Sequence, residues 1–367
     1  MNGKVWPSGP EEEVGMDLVG RCQAEGWNRI AFVGATKHAG KTTALNHLVA
    51  EAHAKGVAVG LCSIGLDGER LDTILGVEKP AVHAPEGAIV ASAERALAES
   101  TAGLEWLEVL PLASPLGAVA VCRVTRAGSV VLAGVRQRAH LRIVLPRLET
   151  YGARLQLVDG AFDRIAAAAP ALVDAVVLAV GAVAGRTVDA ILRHARPFIQ
   201  RFLLPTVPGD LRNRLAMAQQ RQVVGWVDGT DVHVIEPSGT LAGVPHHAWT
   251  PDVEAVYLPG AVTDSLVSGL LAHGRPLTVV AAHPAQVLLS ESSYRKLLQA
   301  GHCLCVWETL PILAVAANPH SIEGYDVPRQ ALLDGLSAWL GDVPVFDPLH
   351  PDGICTQAGA SRCEKMP

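Results

Sequence analysis

AFVGATKHAGKTTALNHLVAEAHAKG, residues 31–56, begins with an apolar run, passes through a small-residue turn and ends in a helical pattern. The apolar run extends back to Arg29 and has strand length. Between Lys41 and Lys55 the apolar residues Ala44, Leu48 and Ala52 fall at helical spacing, and Gly56 is a normal stop. VAVGLCSI at 57–64 reads as a second strand, so the stretch predicts a strand, loop, helix and strand, a βαβ unit. Gly34 lies six positions before Gly40, one more than the usual phosphate-loop spacing. The looser form, with alanine first, restores the register as Ala35-Thr36-Lys37-His38-Ala39-Gly40-Lys41-Thr42.

A loop between a buried strand and a helix start suits phosphate. Main-chain amides curl round the anion, and the helix adds the positive end of its dipole. Ala35, Thr36, Lys37, His38, Ala39, Gly40, Lys41, Thr42 and Thr43 are the candidate nucleotide contacts. Gly40 allows close backbone approach. Lys41 reaches toward the β- and γ-phosphates as the catalytic cation, Thr42 offers its hydroxyl to Mg²⁺, and Thr43 is placed for the α-phosphate. Deviant loops of the partitioning ATPase class carry a lysine where Thr36 stands, so Lys37 reads as a solvated loop residue. His38 suits either a phosphate oxygen or solvent. No Asn-Lys-x-Asp guanine motif is visible, which leaves ATP as the default and GTP open.

Mg²⁺ needs carboxylates. LQLVDG places Asp159 at the end of an apolar strand, where a carboxylate serves as second metal element, although Asp-Gly also suits an ordinary turn. SIGLDGERLD puts Asp67, Glu69 and Asp72 after the second strand. Asp67 is the candidate for orienting water or a metal ligand, against the alternative of a solvent-facing acidic turn. Asp163 and Arg164 are weaker candidates. His246-His247 lacks a third metal ligand at useful spacing. Asn318 and Tyr325 in AANPHSIEGYD suit either a pocket of a second domain or plain turn chemistry.

The 367 residues allow about two domains. With 49% hydrophobic, 18% charged and 4% aromatic residues, the interior is built from Ala, Val and Leu, as in a mainly parallel α/β sheet with helices on both faces. A formal charge of -6 without a basic run argues against nucleic acid. The acidic, Pro-broken N-terminus lacks the pattern of a signal peptide, and 172–185 is too short and too interrupted to span a bilayer, so a cytoplasmic, membrane-free protein is expected. Seven cysteines without a Cys-x-x-Cys pair read as reduced thiols, with Cys303 and Cys305 on one side of a strand. The expected organisation is an N-terminal extension (1–25), a phosphate-loop domain (26–205), a smaller C-terminal α/β domain (206–350) and a flexible tail (351–367). Within it, 86–100 reads as a helix, 107–135 as strands joined by turns, and 206–252 as short alternating segments.

The run from Phe32 to Thr42 resembles the loop of dethiobiotin synthetase, which likewise has a glycine one residue ahead of the loop. That resemblance makes Asp159-Gly160-Ala161 the counterpart of a Glu-Gly-Ala run. Over a longer span, VGATKHAGKTTALN, CSIGLDGERLDTILGVEKPAV, ASPLGAVAVCRVTRAGSVVLAG, LVDGAFDRIAAAAPALVDAVVLAVGAV and AANPHSIEGYDV resemble a family of phosphate-loop proteins described as reactivase subunits of adenosylcobalamin-dependent lysine 5,6-aminomutase and ornithine aminomutase. The resemblance implies an ATP-dependent helper that releases damaged cobalamin from the mutase, with the mutase and a second reactivase subunit as partners. Two other readings stay open: an ATP-dependent ligase or carboxylase like dethiobiotin synthetase, and a GTP-binding adapter of cofactor assembly.

Overall fold

The computed structural model describes residues 16–64, 81–160, 169–235 and 252–355. The expectations for Asp67, Glu69, Asp72, Asp163, Arg164, His246 and His247 lie outside these residues.

The first βαβ unit forms as expected. Helix α1 (Leu18–Glu25) leads into β1 (Arg29–Gly34), then α2 (Lys41–Ala54) and β2 (Val59–Ile64). β3 (Val82–Ala84) and β4 (Ile89–Ala93) follow, then α3 (Glu94–Ala98), the long hairpin β5 (Gly103–Ser114) and β6 (Gly117–Arg126), and β7 (Gly128–Val130). The helix expected over 86–100 is therefore half strand. Ile89–Ala93 is buried throughout, pairs parallel with β2 and antiparallel with β6, and only the charged Glu94-Arg95 step begins a helical turn. α4 (Arg138–Thr150), β8 (Leu155–Gly160), β9 (Ala175–Gly181) and α5 (Val188–Gln200) complete the first half.

In the second half, α6 (Gly209–Arg221) precedes β10 (Val224–Asp228), β11 (Asp231–Ile235) and β12 (Val253–Leu258). β13 (Val262–Thr263), α7 (Asp264–Ala272), β14 (Thr278–Ala281), β15 (Val287–Leu288), α8 (Glu291–Gln299) and β16 (Cys303–Val306) follow. β17 (Ile312–Asn318), α9 (Arg329–Leu340), β18 (Val345–Asp347) and β19 (His350–Cys355) complete the described elements. α6 lies where only short extended segments were expected, and it buries Leu211, Leu215 and Ala218 at helical spacing.

The main sheet is ten-stranded, in the order β19-β18-β17-β9-β1-β8-β2-β4-β6-β5. From β18 across to β4 the neighbours are parallel, and β19, β6 and β5 add antiparallel edges. β1 and β9 are buried almost throughout, as central parallel strands covered on both sides must be. One face is covered by α4, α5 and α9 through Leu145, Ile191 and Leu336. The other is covered by α2 and α1 through Leu45, Leu48 and Leu18. The described part of the expected N-terminal extension thus contributes to the core: Leu18, Val19 and Cys22 are buried, and Val19 N–H donates to Glu51.

A second sheet of five strands, β11-β10-β12-β14-β16, carries α7 and α8 against one face and α6 against the other. The expected domain from 206 to 350 differs from this arrangement. The smaller α/β unit ends at β16, and β17 returns the chain to the main sheet between β9 and β18, where the apolar run 312–317 is buried on both faces. β19 likewise takes the start of the expected tail into an edge strand. Among the described cysteines, Cys22, Cys62, Cys122 and Cys305 are buried and Cys303 is exposed, all as free thiols. No helix among the described residues is long and apolar enough to cross a membrane.

Candidate functional site

β1 delivers the chain to the C-terminal edge of the parallel sheet, the place where open α/β sheets form their crevices. Ala35 N–H still bonds Ala179 O of β9 at 2.9 Å, and then the backbone turns. His38 (φ 56°) and Gly40 (φ 97°) both adopt the left-handed conformation. For a histidine this is uncommon, and such conformations gather where loops cup ligands. α2 then begins with Gly40 as N-cap. There is no side-chain cap and no acidic residue in the first turn, and the first intrahelical bond runs from Ala44 N–H to Gly40 O at 3.0 Å. The amides of Thr42 and Thr43 have no acceptor within the helix, and about half a positive charge gathers there.

Close packing explains why small residues stand where they do. A Cβ on Gly181, at the end of β9, would lie 2.9 Å from Ala39 Cα. On Gly40 it would lie 3.1 Å from Asn318 Cβ, and on Gly34 3.0 Å from Thr36 O. The turn therefore rests directly on the ends of β9 and β17, which are register neighbours through Gly181 and Asn318. Gly34, one residue ahead of the looser motif, is held by the turn itself rather than by a ligand.

The side chains sort by position. Lys37 is exposed, His38, Thr42 and Thr43 are partly buried, and Ala39 is buried. The Lys41 ammonium donates to Gly160 O at 2.6 Å, so it spans from the helix start to the end of β8. Asp159, the preceding residue, stands in register with Phe32 of β1 and Ser63 of β2. Side chains alternate along a strand, so Asp159 shares the face of Leu155 and Leu157, which is the α2 face. The structure thus gathers Lys41, Asp159 and the start of α2 at one sheet edge. Burial, and secondarily the Asp159 charge, push the neighbouring Cys62 thiol up to about 12, which keeps it protonated and unreactive at neutral pH.

Thr36 carries a further mark. Its Oγ1 is buried and makes no hydrogen bond, a donor held at the floor of the turn. Sequence reasoning missed two contributors, Gly181 and the Gly160 carbonyl, and assigned a third elsewhere. Asn318 was expected in a second-domain pocket or a plain turn, but it lies in the main sheet against Gly40. Tyr325 is beside it on the same segment, its hydroxyl donating to Ala182 O at 2.8 Å. The Asn-Pro and Glu-Gly steps hid this, since nothing local in them announces strand pairing with β9. Among the described residues no group of three or more His, Cys, Asp and Glu is placed to hold a metal.

Chemically, the turn brings together a helix start without a side-chain cap, an ammonium and a buried hydroxyl without a hydrogen bond, with a carboxylate near the end of β8. No family model, no curated protein and no solved structure matches the chain.

Proposed function

We propose that residues 35–43 bind the phosphates of a nucleoside triphosphate with Mg²⁺. One observation carries this reading: the left-handed turn at His38 and Gly40 opens onto the uncapped start of α2 while Lys41 reaches across it to the end of β8. The residues fit the group. Phosphate oxygens are acceptors, and they would satisfy the buried Thr36 hydroxyl and the first-turn amides where a side chain would collide. Lys41 would neutralise charge at the terminal phosphates, and Thr42 and Asp159 would supply oxygens to the cation. Bound Mg²⁺ would offset charge on the phosphates. The chain's own residues orient and screen.

On the family resemblance of the loop and of the later segments, we place this site in an accessory factor that couples nucleotide binding to the release of damaged cobalamin from an aminomutase. Such a factor needs no covalent catalyst, only an element whose two arrangements bind the nucleotide differently.

Titration calorimetry with Mg·ATP and Mg·GTP tests the site. Lys41→Ala is expected to lower the affinity at least a hundredfold, because it removes the ammonium that reaches across the turn to Gly160 O. Thr42→Ala is expected to remove the Mg²⁺ dependence of binding. Equal affinity in wild type and Lys41→Ala overturns the reading. Recovery of inactivated aminomutase with ATP, Mg²⁺ and fresh cofactor tests the proposed partner.

A further inference from the structure

α4 begins against the usual electrical preference of a helix. The dipole gathers positive charge at the first turn and favours acidic residues there, yet Arg136, Arg138, His140 and Arg142 stand in or beside this turn and no acidic residue does. Gln137, the N-cap, makes no side-chain bond to the helix. His140 and Leu141 N–H both return to Gln137 O, at 3.0 and 3.4 Å, which leaves the amides of Arg138 and Ala139 without an acceptor in the helix.

This helix start lies at the same sheet edge as the turn after β1. A Cβ on Gly60, near the start of β2, would lie 3.2 Å from Leu148 Cβ, so the last turn of α4 sits over the N-terminal ends of the parallel strands. The 13 residues of α4 rise about 20 Å, the length of the 6-residue β8, and so carry Arg138 to the C-terminal ends.

The smaller unit brings another group to this point. His283 stands just past the C-terminal end of β14, a parallel strand of the second sheet, and is buried. Its Nδ1 is inaccessible and makes no hydrogen bond. Ala285, two residues on, joins the apolar cluster that holds Leu141 of α4, and the Arg138 charge acts on the His283 ring. Arg138 is itself half-buried, and burial, followed by the Arg142 charge, pushes its pKa down. Among the described residues no carboxylate forms an ion pair with it. A guanidinium partly desolvated at the positive end of a helix, beside a second arginine and a histidine, lacks the partner that would offset these costs. An anion supplies it.

We propose that the start of α4 and His283 form a second anion site, between the two sheets, which takes the carboxylate or phosphate group of a small ligand. Arg138 supplies a fork of N–H donors, the Arg138 and Ala139 amides two more, and His283 closes the site from the smaller unit. The site is separate from residues 35–43 and does not rest on their binding a nucleotide. Its donors come from both units, so an occupant bridges them.

Histidine-selective NMR of the full chain tests this, with His283→Asn assigning the His283 signal. Inorganic phosphate and succinate are titrated separately, against sodium chloride at equal ionic strength. Expected is a saturable shift of the His283 signal with at least one of the two oxyanions and none with chloride; the oxyanion that binds more tightly identifies the head group. Arg138→Gln should weaken that binding about tenfold or more, whereas Lys41→Ala should leave it within about twofold. Arg138→Gln removes an unpaired cation, so in anion-free buffer it should melt no lower than the wild type, which also certifies its folding. A His283 signal that neither anion moves at about 50 mM, or that moves equally in Arg138→Gln, overturns the proposal. So does loss of the shift in Lys41→Ala, which would assign the anion to the turn after β1, and so does a clear fall in the melting temperature of Arg138→Gln, which would give Arg138 an internal partner.

Discussion

At the scale of single residues, the site depends on atoms that are absent as much as on those present. Gly181 has no side chain because Ala39 backbone occupies the space, with Cα at 2.9 Å and O at 3.1 Å from a hypothetical Cβ. Backbone cannot swing aside as a flexible side chain can. Gly181→Ala is therefore expected to displace the loop, to lower nucleotide affinity at least tenfold, and to destabilise the fold by about 1–3 kcal/mol, read from parallel titrations and urea melts. Unchanged affinity would mean that the seating of Ala39 on β9 is irrelevant to binding. The placement of Lys41 and Thr42 at a helix start and of Asp159 near a strand end was legible from residue type and spacing alone. Gly181 and Asn318 were not, because each acquires its role from a neighbour far away in sequence, Ala39 in one case and Gly40 in the other.

At the scale of elements, what was legible follows from how strongly the local pattern constrains the backbone. Residues 29–64 alternate an apolar run, a glycine turn and a 3.6-residue period, and β1, α2 and β2 form where that pattern puts them. AIVASA misleads, since alanine favours helix, but the strand is decided by β2 and β6 on its two edges. α6 escaped notice because DLRNRLAMAQQR is mostly polar and only Leu211, Leu215 and Ala218 mark its buried stripe. The end of β14 carries its own prediction. His283 follows that strand, 9% exposed, and burial, with the Arg138 charge second, lowers its imidazole to about 4. Above pH 6.5 the ring is neutral folded or unfolded. As pH falls below 6.5 the unfolded chain takes up a proton that the folded chain refuses, so stability drops until about pH 4, by about 3 kcal/mol at most. Burial lowers His47 and His302 too, with the same sign. Urea melts between pH 6.5 and 5, above the carboxylate range, should show this slope, and His283→Asn should flatten it. An unchanged slope in that variant would assign the pH dependence to other groups.

At the scale of the whole molecule, the chain leaves the main sheet after α5, builds a smaller sheet, and comes back. The departure near 206 was visible as a change of texture. The return was not, because CLCVWETLPILAVAAN reads as one apolar stretch, while the structure divides it between β16 of the small sheet and β17 of the large one. The junction is packed: Ala285, which follows β14, joins the main core. Residues 1–205 expressed alone should therefore fail to fold cooperatively, since β9 would lose β17 along its whole length and α5 would lose α9. A monomeric species with a sharp melt on size exclusion and circular dichroism would contradict the two-sheet account. The claim on which the functional reading turns is that the amides of residues 38–44 receive the phosphates. Amide hydrogen exchange over the full chain, with and without saturating Mg·ATP or Mg·GTP, addresses it directly. Protection is expected to be greatest across 38–44 and at the ends of β8 and β17, and absent in Lys41→Ala; a bound nucleotide that leaves the exchange of 38–44 unchanged would contradict the account.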